Sequence, residues 1–156
     1  MSTASELCTL LDRAFFGPSW HGTTLRGALR RLTPAQALWR PTPGRHCVWE
    51  LILHTAYWKY TVRNRIEGGR RAAFPRRPSN WPRLPATPDA QALAADIALL
   101  DAQHALLVAC TRKLPLRTLR ARSPSGKWTN AEQIAGVAAH DLYHAGQVQL
   151  LKRLAR

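Results

Sequence analysis

Apolar side chains recur at helical spacing in four stretches of the chain, and no stretch alternates as a strand would. The first runs from Thr3 to Phe16, with Leu7, Leu10, Leu11, Ala14 and Phe15 on one face, and is stopped by Gly17-Pro18. Short helical turns are predicted around Thr24 to Arg31 and Pro34 to Leu38, before Pro41 and Pro43 break the chain. A second long helix is expected from about His46 to Glu67, ended by Gly68-Gly69. The third opens with Thr87 as N-cap and Pro88 in the first turn, and runs to about Lys113. Its Leu93, Ile97, Leu100, His104 and Leu107 follow the 4-3-4-3 spacing of a bundle seam. The fourth opens on the capping box Thr129-Asn130-Ala131-Glu132 and continues to about Arg153. Between the second and third helices, Gly69 to Ala86 carries Pro75, Pro78, Pro82 and Pro85 among several arginines and reads as a long loop. The pattern predicts an all-α fold: an antiparallel four-helix bundle with one long irregular connection.

Composition narrows this picture. At 156 residues the chain fits a single domain, 1–156, and 46% hydrophobic with 21% charged residues is the balance of a globular protein. The most apolar stretch, Leu93 to Cys110, is interrupted by Asp96, Asp101, Gln103 and His104, so no membrane association is expected. The N-terminal MSTASELCTLLDR lacks the basic start of a signal peptide, and Cys8, Cys47 and Cys110 form no CxxC pair. The expected location is cytoplasmic, with free thiols. The net charge of +14 comes mostly from arginine, 19 of 23 basic residues. Such a charge suits a nucleic-acid partner. Seven arginines do lie between Arg63 and Arg83, with Phe74 and Trp81 among them. The other arginines are spread over every segment and no nucleic-acid motif appears, so this stays the alternative reading.

The chemistry concentrates on histidine. His140 and His144, at i and i+4 in the fourth helix, lie about 40° apart around the axis and about 6 Å along it, so both imidazoles share a face and can bind one metal ion. His54 sits in mid-helix among Leu51, Leu53, Tyr57 and Trp58, where an imidazole without a partner is costly to bury. Facing helices of a bundle bring such inward residues to one point. Glu50, one turn before His54, is a general base for a metal-bound water, a group that orients a ligand, a metal ligand itself, or an ordinary carboxylate paired with an arginine. Asp141 is either a hydrogen-bond acceptor for an imidazole or a surface ion pair, and Gln147 either faces the pocket mouth or packs on a neighbour. His104, on the inward seam of the third helix, is either a fourth ligand or a packed core histidine, and with no motif around it reads as the latter. His46, eight residues before His54, stands about 12 Å away along the axis, outside one coordination sphere but able to line an entrance. No phosphate loop, GxGxxG or GxSxG is present.

The ordered motifs Trp20-His21-Gly22, Leu32-Thr33, Arg40-Pro41, Pro43-Gly44-Arg45-His46, Val48-Trp49-Glu50-Leu51 with His54 and Trp58, Trp128-Thr129, and His140-Asp141-Leu142-Tyr143-His144-Ala145-Gly146-Gln147 span nearly the whole chain. In them the sequence resembles the DinB-like superfamily of small four-helix bundles, which includes YfiT-type metal-dependent hydrolases. The resemblance implies one divalent transition metal per chain, Zn or Ni, held by His54, His140 and His144. It also implies a metal-dependent enzyme of the thiol S-transferase or hydrolase type, with a small-molecule substrate such as a low-molecular-weight thiol or an anionic compound, and a homodimer. A non-catalytic metal-binding stress protein is the remaining alternative. If the long loop covers the metal, its arginines would favour an anionic substrate.

Overall fold

The computed structural model describes residues 3–69, 73–122 and 127–155, and all regular structure there is helical. There is no strand among the described residues, only an isolated bridge between Arg122 and Thr129. The helices are α1 (Ala4–Phe15), α2 (Leu25–Ala28), α3 (Pro34–Leu38), α4 (Val48–Ile66), α5 (Ala90–Arg112), α6 (Leu116–Arg120) and α7 (Asn130–Leu154). Apolar periodicity gave no sign of α6, a single turn after Pro115 too short to show a period. Capping chemistry sets the starts of the long helices. Thr129 accepts the Glu132 amide while the Glu132 carboxylate accepts the Thr129 amide, closing the expected box at α7. At α5 the expected cap is corrected: Asp89, not Thr87, accepts the Ala92 amide at 2.8 Å, so the helix starts two residues later. A carboxylate at the positive end of the helix dipole outcompetes a threonine hydroxyl for that place.

The long helices pack in a ring: α4 on α5 and α7, and α1 on α7 and α5. Their directions correct the expectation that neighbours are all antiparallel. Trp49, at the start of α4, donates its indole N–H to Asp96 near the start of α5 at 2.9 Å, so these two helices run parallel. At the next seam of the ring, His104 meets Asp12 and Cys8 meets Val108, which makes α1 and α5 antiparallel. A parallel pair requires a connection that travels back the full length of a helix, and this accounts for the long proline-rich loop. Its described residues run down α4 in reverse: Phe74 against Tyr57 and Tyr60, Asn80 against Trp58 and His54, and Trp81 against His54 and His46.

The core divides into two apolar clusters. One gathers Val48 to Ala56 of α4 with Leu93 and Leu100 of α5 and Ala145 and Val148 of α7. The other gathers Leu7 to Ala14 of α1 with Val62, Leu107, Val108 and Ile134 to Ala138. Three of the long helices change cluster at a buried polar residue: Lys59 on α4, His104 on α5 and Asp141 on α7. Helix α5 is long and apolar enough to cross a bilayer by length and composition. In this fold it is a core helix whose inner face carries Asp96, Gln103 and His104, with Asp96 bound by Trp49 and Arg76 and His104 by Asp12.

Candidate metal centre

His54 from the middle of α4 meets His140 and His144 from the middle of α7. The Nε2 atom of His140 lies 3.2 Å from that of His54 and 3.0 Å from that of His144. The outer nitrogens decide what this meeting means. His54 Nδ1 donates to the carbonyl oxygen of Asn80 at 2.7 Å, and His144 Nδ1 donates to the Gln147 side-chain oxygen at 2.7 Å. In a neutral ring with Nδ1 protonated, Nε2 carries a lone pair. Two lone pairs therefore point at His140 Nε2, which has at most one proton to share between them. A cation satisfies all three at once. Two nitrogens bound to a common tetrahedral ion at zinc–imidazole distances stand about 3.3 Å apart, close to both separations here. These three side chains are the group among the described residues whose ligand atoms come together as a metal site requires, all within 4.8 Å of one another.

Asn80 is the part of this arrangement that the motifs did not reveal. It sits at φ 68°, the left-handed region that asparagine tolerates better than most residues. From that turn its carbonyl reaches His54, while its side-chain oxygen accepts the Trp58 indole N–H at 2.9 Å. Its signal was the Pro-Ser-Asn-Trp-Pro run, a turn composition with no obvious target. Trp81, next in sequence, is sandwiched between His54 (3.9 Å between ring centres) and His46 (3.5 Å), nearly parallel to both. The loop therefore covers one side of the cluster, through Asn80 and Trp81 rather than through arginines. Arg76 is paired with buried Asp96, and Arg77 and Arg83 line a separate cleft with Tyr57, Tyr60 and Phe74. Arg70 and Arg71 lie outside the described residues.

The remaining candidate residues settle around this centre. Glu50 accepts the Cys47 amide at 3.0 Å at the start of α4 and takes both nitrogens of Arg40, at 2.6 and 2.8 Å. Burial pushes its carboxyl up, but the bonds from Arg40, Cys47 and His46 outweigh that and hold it at about 2. It connects to the site only at two removes, through His46 (3.2 Å) and then Trp81. Asp141 is neither an imidazole acceptor nor a surface ion pair: it is fully buried and bonded to the equally buried Lys59. Gln147 fixes His144 and is itself fixed by Tyr143, to whose hydroxyl it donates at 3.1 Å. His104 is a core histidine, stacked on Phe15 at 4.0 Å and bonded to Asp12 at 3.0 Å. Trp49 is core, and Trp20 and His21 stand on the surface.

A cleft of about 800 Å³ opens onto the three histidines. Leu51, Leu150, Leu151 and Trp81 make it largely apolar, and exposed Arg45 adds a charge to its lining. Burial lowers all three imidazoles below the ordinary histidine range, His144 to about 4 and His140, which also faces the other two rings, to about 3. The ligands are thus neutral near pH 7. One consequence is testable on metal-free protein. Unfolded histidines take up protons near pH 6.5, whereas His140 and His144 do so only near 3 to 4, so in between the unfolded state binds more protons and each step down in pH favours it. The denaturant midpoint of the metal-free protein should fall steadily from pH 6.5 to 4; a flat profile would contradict the burial argument.

A family model described as the DinB superfamily matches residues 19–148, a span that contains all three histidines. No curated protein and no solved structure matches the chain.

Proposed function

The chain belongs to the DinB superfamily, and from that premise we propose that it is a metal-dependent enzyme built on a four-helix bundle, with one divalent ion, Zn or Ni, held by His54, His140 and His144. The observation that supports this most is the convergence of three Nε2 atoms, two of which, on His54 and His144, have their lone pairs aimed inward by Asn80 and Gln147. When bound by three imidazoles such an ion keeps open positions and supplies Lewis acidity, lowering the pKa of a water or thiol and polarising a carbonyl. The chain's own residues do the rest. Asn80 and Gln147 hold the ring orientations, as hydrogen-bond partners of metal-bound histidines do. Trp81 and the leucines around the first cleft exclude water from one approach and accept an apolar substrate. Transfer of a thiol to an electrophile and hydrolysis both fit such a centre, and the largely apolar lining favours a small organic substrate over a polyanion. The arginine charge also speaks less for nucleic acid than its count suggests, because Arg26, Arg40, Arg63 and Arg76 are each paired with an acid.

Elemental analysis of protein purified without chelators, followed by a screen of thiols with electrophilic and ester substrates on the Zn- and Ni-loaded forms, tests this reading. Absence of transition metal together with no uptake of added Zn²⁺ or Ni²⁺ defeats it. Binding should also resist acid better than free histidines suggest. With all three imidazoles lowered by burial, and His140 and His144 taking up protons only near 3 to 4, loss of metal should set in well below pH 6. Gln147→Leu, which removes the partner of His144 Nδ1, should weaken metal affinity about 10- to 100-fold without emptying the site at saturating metal. Competition with a chromogenic chelator reads this out, and an unchanged affinity would remove Gln147 from the account.

A further inference from the structure

The histidine cluster is open from a second side. His54 and His140 line the apolar cleft and also another of about 570 Å³, which His144 does not reach. Resting on the reading of the cluster as a metal centre, we propose that this second cleft is a subsite for a ligand carrying a carboxylate on a flat apolar body. Its carboxylate is taken by Arg65 and Gln133 and its other end lies at His54 and His140.

Four observations carry the assignment. The far end of the cleft offers donors and no acid. Arg65 is exposed, and among the described residues no carboxylate pairs with it; its Nη1 lies 3.5 Å from the Gln133 side-chain oxygen. With that oxygen turned to Arg65, the Gln133 Nε2 is left buried without a partner, a donor waiting for an acceptor. The walls are aromatic faces. Trp58 has its indole N–H occupied by Asn80, so it presents only its ring, edge-on to His54 and His140 at 6.4 and 6.3 Å. Trp128 stands 51% exposed at the rim, a large indole with the Lys127 ammonium 5.1 Å from its ring centre. The floor is kept clear by Gly136, one turn before His140, where an added Cβ would meet nothing within 4 Å. Finally, Gln133 precedes His140 by two helical turns, about 10 Å along α7, which sets the span between the carboxylate and the reacting end. Guanidinium and amide donors together match a carboxylate, and two indoles match a planar body between it and the metal. Two clefts meeting at the same two imidazoles let two molecules approach the centre without sharing an entrance.

The probe is 3-phenylpropionate, with 3-phenylpropionamide as its uncharged match, titrated calorimetrically into the zinc-loaded 156-residue protein. The acid should bind at least tenfold more tightly than the amide. Arg65→Gln should erase that preference while leaving the amide unchanged. Gly136→Leu, which places a good helix former in the open floor, should abolish binding of both. Leu150→Phe, which narrows the other cleft, should change neither. Zinc content is measured on every variant by elemental analysis, so a missing metal counts against the proposed function and a retained metal leaves the subsite to be judged on binding alone. No binding of the acid at millimolar concentration, no preference for acid over amide, binding that survives Gly136→Leu, or loss with Leu150→Phe in place of Gly136→Leu each overturns the proposal.

Discussion

His140→Ala is expected to take the metal content of the purified protein from close to one divalent ion per chain to near zero. His140 is the middle member of the trio: both other Nε2 atoms are within 3.2 Å of its own. Removing it leaves two imidazoles, too few for a site that competes with buffer and water. Thermal unfolding gives an independent readout. Added Zn²⁺ should raise the melting temperature of the wild type by the mass-action term for a ligand that binds only the folded state, and should leave His140→Ala unmoved. His104→Ala is the matched control, a buried histidine that packs on Phe15 and Asp12 and should retain the ion. Full metal occupancy in His140→Ala, or its loss in His104→Ala, would refute the assignment of the site.

Lys59→Met should be among the most destabilising single substitutions, at about 3–5 kcal/mol. Lys59 and Asp141 are both completely buried and bonded to each other, so the pair joins α4 to α7 directly behind His140. Burial alone lowers the lysine and raises the aspartate, and each partner's charge opposes the shift of the other. Taking away one leaves a buried group that must either hold an uncompensated charge or change its protonation on folding. The double variant Lys59→Met/Asp141→Leu removes both charges at similar volume and should recover most of the loss. Chemical denaturation of the two single variants and the double measures the coupling. If Lys59→Met costs less than about 1 kcal/mol, the pair does not hold the helices in register.

Much of this molecule can be read from the chain because it is written in local chemistry. The four long helices follow from apolar periodicity and from caps such as Thr3 with Glu6 and Thr129 with Glu132, whose partners lie three residues apart. The spacing of His140 and His144 is likewise local, since one turn of helix brings both rings to the same face. His54 required a step beyond this. Nothing local says that α4 faces α7, and its membership came from the motif pattern of a family, met by the DinB superfamily match over 19–148.

What stayed hidden depends on residues far apart in sequence. Asp141 looked like a surface acid or an imidazole partner because Lys59, 82 residues away, is the group that neutralises it. Glu50 reads as a candidate base until Arg40 and the Cys47 amide occupy its carboxylate. Asn80 looked like turn filler, yet it selects the tautomer of His54 from 26 residues away. Helix periodicity carries a face but no direction, so it could not tell that α4 and α5 run parallel, nor that the proline-rich connection must return along α4 and lay Trp81 on the site. Periodicity and capping act within a few residues and are encoded where they act; helix direction, charge compensation and the open faces of a ligand cluster arise only when distant segments meet.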